Sequence, residues 1–283
     1  LSFYRALNLG LRGDIHGEFS GRGKIDDFST RMQLKLLNSY IDDVKVGESN
    51  ITIYNNDLDF FINGDFLNKE IVLKSMLGLG KNKKRTKLDI EIKSQNVKKL
   101  LGVISSHNIK DDDLLGSINA TLNADFLLDD YKDLSLKAVI HELDLERGDS
   151  TLHINKTNNK LLIKKGKIVN FDLRAEGNGN ALEFNGYGSL ASKFKIENKL
   201  LIDASLAELI SDKIEDSNGK VSGRAMLVNE KNDLQSFFQV TGDKVHFKLK
   251  AVPGTFNATD FTFVQDGKDL LIQHFQTFYG KGK

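Results

Sequence analysis

The sequence contains no cysteine, no tryptophan and a single proline among its 283 residues. Without cysteine the chain has no disulfide bond, no thiolate metal ligand and no thiol nucleophile. Proline cannot donate a hydrogen bond to a strand ladder, so its near absence is consistent with uninterrupted strands. The missing side chains therefore exclude thiol chemistry and are compatible with a fold rich in β-sheet.

The charges of the chain almost cancel, because 40 basic residues stand against 39 acidic ones. No net field attracts nucleic acid, and we expect no nucleic-acid partner. The sequence also lacks an apolar run of the about 18 to 20 residues that a membrane span needs. It begins with Leu1 rather than Met and shows no signal peptide there, so we expect an internal piece of a longer protein, with any anchor or export signal outside it.

One short motif recurs at a constant interval along the chain. The pattern Gly-x-(Ile/Val)-x-(Gly/Ala) begins at Gly13, Gly116 and Gly219, so that 103 residues separate successive copies. A constant interval is typical of proteins built from repeats. We therefore predict a first repeat at 1–112, a second at 113–216 and a partial third at 217–283, all within one continuous elongated sheet.

Within each predicted repeat, apolar residues alternate with polar ones. A period of two places successive apolar side chains on one face of a β-strand and the polar ones on the other. One-sided strands of this kind are typical of antiparallel sheets with a solvated face. The residues expected to line the apolar face are Ile51, Ile53, Leu58, Phe60, Ile62, Leu88, Ile90, Ile92, Leu134, Leu136, Leu143, Leu145, Leu152, Ile154, Leu161, Ile163, Leu182, Phe184, Phe194, Ile196, Leu200, Ile202, Val245, Phe247, Leu249, Phe261 and Phe263.

Two short stretches depart from this alternation. Residues 97–104 and 206–214 carry apolar side chains near the spacing of an amphipathic helix. We expect each stretch to form a short helix at a repeat boundary and to pack on the apolar face of the sheet.

No group of residues has the spacing of a catalytic or metal-binding site. The six histidines are scattered, without a His-x-His or HExxH pattern. The segment Gly78-Leu79-Gly80-Lys81 lacks the spacing of a phosphate-binding loop and is interpreted as a hairpin turn. The basic run at 81–85 is interpreted as a solvated turn between strands. We therefore expect no enzyme, no metal and no cofactor.

The segment from Leu143 to Leu190 carries a family resemblance. It reads LDLERGDSTLHINKTNNKLLIKKGKIVNFDLRAEGNGNALEFNGYGSL, in which short apolar-x-apolar strands precede a Lys-Gly-x-Ile element at 165–168, a glycine-rich turn at 177–179 and a Gly-x-Leu ending at 188–190. This succession resembles the TamB family, within the AsmA-like group of bacterial envelope proteins. The strand-to-helix elements at 88–101 and 200–210 are similar to the repeat junctions of that family.

The resemblance implies an all-β fold in which a repeat-built antiparallel sheet curves into an open hydrophobic trough, the β-taco, with short helices at the repeat boundaries. It further implies a periplasmic protein anchored in the bacterial inner membrane. Proteins of the family are implicated in moving phospholipid towards the outer membrane and in assembling outer-membrane proteins with a β-barrel partner of the Omp85 kind. We therefore expect phospholipid acyl chains to occupy the trough.

Three other interpretations of the same residues stay open. The apolar side chains can form a closed, dry core, as in a β-helix or a sandwich. The chain can be an extracellular repeat adhesin or autotransporter passenger that binds through its polar face. A carbohydrate-acting β-solenoid enzyme is the third interpretation, although the sequence nominates no carboxylate pair and contains no tryptophan.

Overall fold

A computed structural model describes residues 11–24, 27–41, 44–56, 58–79, 85–105, 114–154, 159–209, 213–230, 233–266 and 269–280. Within these ranges the chain forms 17 strands of one antiparallel sheet, one α-helix and one 3₁₀ helix. The prediction of an all-β fold is confirmed.

The elements follow one another in long hairpins. The first part of the chain contains β1 (Leu11–Lys24), β2 (Asp27–Ile41), β3 (Val44–Asn56), β4 (Asp59–Phe66), β5 (Ile71–Gly78), β6 (Arg85–Ser94), helix α1 (Val97–Ser105), β7 (Leu114–Leu127) and β8 (Asp130–Arg147). The second part contains β9 (Ser150–Ile154), β10 (Lys160–Lys164), β11 (Lys167–Gly177), β12 (Asn180–Ser189), β13 (Lys193–Asp203), a 3₁₀ helix (Ala204–Leu209), β14 (Ile214–Glu230), β15 (Asp233–Leu249), β16 (Thr255–Asp266) and β17 (Asp269–Gly280).

The chain divides into two compact units. The first comprises residues 1–110, 117–141 and 162–166, and it contains β1 to β6, α1 and most of β7, β8 and β10. Each strand from β1 to β7 pairs with the next strand in sequence. In addition β10 pairs with β8, and the Gly166 amide donates to the Leu134 carbonyl at 2.7 Å.

The second unit comprises residues 111–116, 142–161 and 167–283. In it, β9 pairs with the end of β8 and with β11, and each strand from β11 to β17 pairs with the next. Strand β14 runs without a break through the predicted repeat boundary at 216/217. The other predicted boundary, at 112/113, lies outside the described residues.

Helix α1 confirms the prediction made for residues 97–104. The Asn96 side chain caps it, because its Oδ1 accepts a hydrogen bond from the Lys99 amide at 3.3 Å. Leu100 is buried with Leu67 in a small hydrophobic cluster. The side chains packed against this cluster are Phe66, Ile71, Ile92 and Ile118. All four come from strands of the first unit, so α1 packs on one face of the sheet, as expected.

The prediction of a helix at 206–214 is wrong in its bounds. The structure has a 3₁₀ helix at Ala204–Leu209, and Ile214 already opens β14 opposite Leu249. The turn starts early because the Asp203 carboxylate accepts a hydrogen bond from the Ser205 amide at 3.0 Å. The buried Ser217 hydroxyl then donates to the Ala204 carbonyl at 2.9 Å, which holds the turn against β14.

Strand bounds recur at the interval of the sequence motif. Strands β1, β7 and β14 end at Lys24, Leu127 and Glu230, and their partners β2, β8 and β15 all begin with an aspartate, at positions 27, 130 and 233. The glycines of the three motif copies, at 13, 116 and 219, have φ angles of +145°, +155° and +103°. L-residues rarely adopt these angles, so the three positions require glycine.

Candidate functional site

The first unit carries an unbroken apolar row across seven strands. Directly opposed residues of an antiparallel pair share a face, so the register identifies which side chains are neighbours. The central row of the first unit runs from β1 to β7 through Gly17, Leu34, Ile51, Gly64, Leu73, Ile90 and Leu122. A second row beside it is mainly apolar and contains Phe19, Met32, Ile53, Ile62, Ser75, Leu88 and Ala124.

The second unit carries a row of the same kind. Its central row runs from β11 to β17 through Ala175, Leu182, Leu200, Gly223, Val240, Phe263 and Ile272. The row beside it is mainly apolar, with two polar residues, and contains Leu173, Phe184, Asn198, Ala225, Phe238, Gln265 and Leu270. We call the surface that contains the central row the apolar face of each unit.

The register brings most of the predicted face residues together within their own unit. In the first unit, those on the apolar face are Ile51, Ile53, Phe60, Ile62, Leu88, Ile90 and Ile92. In the second unit, they are Leu145, Leu152, Ile154, Leu182, Phe184, Phe194, Ile196, Leu200, Ile202, Phe261 and Phe263. Leu143 precedes Leu145 by two residues on the same strand and so has the same orientation.

The register does not connect the remaining predicted residues with the central rows. Leu58 lies in the turn before β4, and Leu134, Leu136, Leu161 and Ile163 lie on β8 and β10. Val245, Phe247 and Leu249 follow register shifts between Gly242 and Phe247, beyond which the central row cannot be extended by counting alternate residues. Phe247 stacks instead on Phe256, with ring centroids 4.6 Å apart.

The predicted face residues are mostly half-buried rather than buried. Only Leu152, Ile163 and Val245 are buried, whereas Leu58 and Phe60 are exposed and the others are intermediate. At the ends of the rows exposure is greatest, with Phe19 at 69% and Ile272 at 65%. A closed hydrophobic core buries its side chains almost completely, so these exposures indicate a face that an apolar ligand can reach.

Several apolar-face residues were not predicted from the sequence. Met32, Leu34 and Leu36 alternate visibly in RMQLKL, so the signal was present for this strand. The sequence contains no such signal for Leu73 and Ile272. The runs Ile71-Val72-Leu73 and Leu270-Leu271-Ile272 lack a polar residue that would show which side chains share a face. Only the pairing of β5 and β17 with their neighbours assigns them.

The opposite face of the first unit is polar across the same seven strands. Its central row contains Glu18, Gln33, Thr52, Asn63, Lys74, Asp89 and Asn123. On the neighbouring row, a side-chain hydrogen bond from Lys93 lowers the pKa of Glu91. The sheet of the first unit therefore has one apolar face and one polar face.

In the second unit, one carboxylate joins two neighbouring strands of the polar face. Glu197 of β13 lies 2.8 Å from the Lys195 ammonium and 2.7 Å from the Arg224 guanidinium of β14. Hydrogen bonds from Lys195 and Arg224 lower the pKa of Glu197 below its ordinary value. Arg174 of β11 lies 3.6 Å from Glu183 of β12 on the same face.

Shallow depressions occur on the polar face of the first unit. One of about 530 Å³ lies at β1 to β3 and is lined by His16, Glu18, Gln33, Lys35, Asn50 and Thr52 together with Gly17, Leu34 and Ile51. Another of about 500 Å³ lies beside it and includes Arg31, Tyr54 and Asn63. They provide hydrogen-bonding groups for a polar ligand.

In the described part of the chain, no three His, Asp or Glu side chains are grouped as metal ligands. Within the same ranges, no helix has the length and apolar character needed to cross a membrane. Of the basic run at 81–85 only Arg85 is described; it opens β6 and forms ion pairs with Asp125 and Asp133. The predicted turn at 78–81 is described only for its first two residues.

Comparison with known proteins finds no protein-family model, no curated protein and no solved structure that matches this chain. The resemblance to the TamB family therefore depends on the sequence features quoted above.

Proposed function

We propose that the apolar faces bind the acyl chains of phospholipids and conduct them along the sheet, in a segment of a periplasmic bridge of the TamB kind. In this proposal the sheet curves into an open trough and the inner-membrane anchor lies in another part of the protein. The cargo moves between inner and outer membrane, and the same protein supports outer-membrane protein assembly with a β-barrel partner of the Omp85 kind. The observation that carries the proposal is the half-buried apolar row that crosses seven strands in each unit.

The size of the row suits an acyl chain. With strands about 4.8 Å apart, seven strands give a row about 29 Å long. The hydrocarbon core of a bilayer is about 30 Å thick and contains two acyl chains end to end. One central row is therefore long enough to contact the whole of an extended lipid tail.

The composition of the row suits movement. Exposing an acyl chain to water costs about 0.8 kcal/mol per methylene, or roughly 12 kcal/mol for sixteen carbons. Five of the seven strands of the first central row contribute a Leu or Ile, so a chain that shifts along the row exchanges similar aliphatic neighbours at most positions. The barrier to crossing water falls, and no position along the row holds the chain strongly.

The recurring strand bounds support the repeat-built part of the proposal. Strands β1, β7 and β14 end at intervals of 103 residues, and the strands that follow them, β2, β8 and β15, each begin with an aspartate at the same interval. Repeats of this kind can be added in series without a new design for the sheet. A long lipid-conducting protein requires such an extension.

The proposal is tested by a charged substitution on the central row. In Ile51→Asp we expect the amount of co-purifying phospholipid to fall by about tenfold, because one aliphatic contact worth about 1.5 kcal/mol is replaced by a carboxylate. Native mass spectrometry of the purified protein measures the bound lipid. Thr52→Asp is the matched control, since Thr52 is the next residue of β3 and lies on the polar face.

Photo-crosslinkers provide the second test. A crosslinker at Ile90 should form adducts with phospholipid, whereas one at the neighbouring Asp89, on the polar face, should not. Equal adducts at both positions, or none at Ile90 in membrane-derived protein, would contradict the proposal and favour a closed core.

The polar depressions favour a second candidate function. In this alternative the chain is part of an extracellular adhesin or passenger that binds a polar ligand, such as a glycan, through β1 to β3. Replacing Gln33 and Lys35 with alanine should then abolish binding on a glycan array, and Ile90→Asp, on the apolar face of β6 and outside the depression, should leave it unchanged. Phospholipid bound to the wild-type protein would count against this alternative.

A further inference from the structure

The hydrogen-bond ladder between β2 and β3 is interrupted at one end of the polar face. Its last pair joins Arg31 to Tyr54, although β2 continues beside β1 and β3 continues beside β4. Beyond that pair the buried side chain of Asn55 makes the connection. Its Oδ1 accepts hydrogen bonds from the backbone amide of Thr30 and, at 2.8 Å, from the hydroxyl of the same residue. The depression of about 500 Å³ lies at this interruption, since Thr30 and Asn55 line it.

One wall of the depression is an aromatic ring that a second ring supports from behind. Tyr54 and Phe61 oppose each other across β3 and β4, and their rings stack with centroids 4.9 Å apart and planes 8° apart. Phe61 covers one face of the Tyr54 ring, so the other face is turned towards β2 and the depression. Arg31 does not cover that face, because the cation over a ring within the described residues is Arg12. A flat ligand can therefore stack on Tyr54.

Polar side chains of three strands surround this ring. Arg31 of β2 is exposed and forms no ion pair with a described carboxylate. Thr52 of β3 contributes a hydroxyl and Asn63 of β4 an amide, and the register places these two residues directly opposite each other. A guanidinium can donate two parallel hydrogen bonds to a carboxylate, whereas hydroxyl and amide groups both donate and accept. The depression thus combines a ring face, a partner for a carboxylate and partners for hydroxyl groups.

We propose that this depression binds an acidic saccharide, namely a pyranose ring that carries a carboxylate. The C–H groups on the flat face of the sugar contact Tyr54, because they are attracted to the electron-rich face of an aromatic ring. Arg31 donates hydrogen bonds to the carboxylate, and Thr52 and Asn63 bind the ring hydroxyls. A planar aromatic ligand fits less well, since pockets for such ligands are mostly apolar and this one is lined mainly by polar residues.

The inference goes beyond the proposed function. The depression lies on the face opposite to the apolar row, so a saccharide and an acyl chain do not compete for the same surface. The site applies equally to a lipid-conducting segment and to an adhesin.

Methyl glucuronide and methyl glucoside are the probes, because they share the sugar ring and differ in the carboxylate. We expect the glucuronide to bind about tenfold more tightly, since hydrogen bonds to a charged group are stronger than those between neutral groups. Nuclear magnetic resonance titration of isotope-labelled protein measures both affinities. Equal affinities, or no binding of either sugar, would overturn the inference.

Arg31→Gln tests the partner of the carboxylate. It should lower the affinity for the glucuronide to that for the glucoside and leave the glucoside unaffected. Arg174→Gln is the matched control, because Arg174 also lies on a polar face but already forms ion pairs with Glu176 and Glu183. We expect it to bind both sugars like the wild type. The same loss in both variants would point to net charge and overturn the site.

Tyr54 is tested by one disruptive and one conservative change. Tyr54→Ala should weaken both sugars by at least about tenfold, whereas Tyr54→Phe keeps the ring and should stay within about threefold of the wild type. Tyr187→Ala is the control, because Tyr187 is 62% exposed and lies outside the depression, on β12. In the wild-type protein, saturation of the aromatic protons should transfer to the ring C–H protons of bound glucuronide. This measurement needs no variant to fold, and an absence of transfer would contradict the stacking.

Two reciprocal variants separate this inference from lipid binding. Ile90→Asp should weaken phospholipid and leave the glucuronide unchanged, and Arg31→Gln should do the reverse. A protein that binds phospholipid but not the glucuronide overturns this inference alone. A protein that binds the glucuronide but not phospholipid overturns the proposed function and leaves the saccharide site in place.

Discussion

At the scale of the residue, buried apolar side chains and half-buried apolar side chains have different roles. Leu67 and Leu100 are buried between α1 and the sheet, and they stabilise the fold. Ile51, Ile90 and Leu200 lie on the central rows and stay half-buried. Truncation of a buried side chain such as Leu100 should lower the free energy of unfolding. Truncation of a half-buried side chain on a central row should lower the affinity for lipid.

Leu100→Ala tests the stabilising kind. Removal of a buried leucine leaves a cavity, so we expect the free energy of unfolding to fall by about 2 to 4 kcal/mol. Urea unfolding followed by circular dichroism measures the change. Leu115→Ala is the control, because Leu115 is 62% exposed and its truncation should cost less than about 0.5 kcal/mol. Equal losses would show that α1 does not hold this cluster together.

Glu197 predicts a dependence of stability on acid. Its pKa is lowered below the ordinary glutamate value of 4.5, so the ionised form stabilises the folded state. This contribution is complete above pH 4.5 and is lost as the pH falls through the lower pKa of the folded state. Between these limits the stability of Glu197→Gln should fall less steeply with decreasing pH than that of the wild type. Parallel pH profiles from thermal unfolding would contradict the assignment.

At the scale of the element, the ends of the rows differ in how they are protected. Strand β1 carries charged side chains at Arg12, Asp14 and Glu18, which discourage pairing with another chain. Strand β17 (DLLIQHFQTFYG) has no lysine, arginine or proline, and its apolar residues are exposed on both faces. The described register of β17 is with β16, and the strand carries no lysine, arginine or proline that would discourage pairing with a further strand.

Leu271→Lys should reduce self-association of the isolated chain. Leu271 is opposite Val264 and off the apolar row, so the lysine adds an edge charge and leaves the lipid-binding side chains in place. Sedimentation velocity over a range of concentrations measures the effect. Gln276→Lys adds the same charge to β17 without removing an apolar side chain. If it reduces association equally, charge alone is responsible and the apolar edge is not.

How far the sequence predicts these elements depends on whether the local pattern and the pairing agree. In β6 the alternation of Leu88, Ile90 and Ile92 identifies both the strand and its face. Residues 206–214 have helical spacing, but pairing of Ile214 with Leu249 converts the end of the stretch into strand. Register shifts near Gly242 reassign neighbours in β15 as well. Bulges and long-range pairing are tertiary effects that a local pattern does not contain.

At the scale of the whole molecule, the near balance of charge has a consequence for binding. The chain has a formal net charge of +1, and the apolar faces contain no charged residue in their central rows. Lipid binding should therefore change less than twofold between low and high salt, because no ion pair with the head group is screened. Equilibrium binding of phosphatidylethanolamine in 50 and 500 mM salt, with phosphatidylglycerol for comparison, measures it. A steep salt dependence would indicate head-group recognition in place of chain recognition.

The candidate site illustrates the same limit on prediction at this larger scale. The sequence identifies which residues are apolar and which alternate, and most of these lie on the apolar faces. It does not reveal that Leu34, Ile51 and Ile90 belong to one row, because that depends on the register of hairpins far apart in sequence. Nor does it reveal that Phe61 stacks on Tyr54, since the two residues meet only across β3 and β4.

The interval between the hairpin turns has a consequence for inheritance. An insertion of one residue within a strand would turn every following side chain to the other surface, yet the aspartates after the turns are spaced 103 residues apart twice in succession. Unequal recombination between two such positions removes or adds 103 residues at once. The apolar side chains of every remaining strand then keep their orientation. A gene organised in this way can lengthen or shorten its product without passing through an intermediate whose apolar side chains face the polar surface.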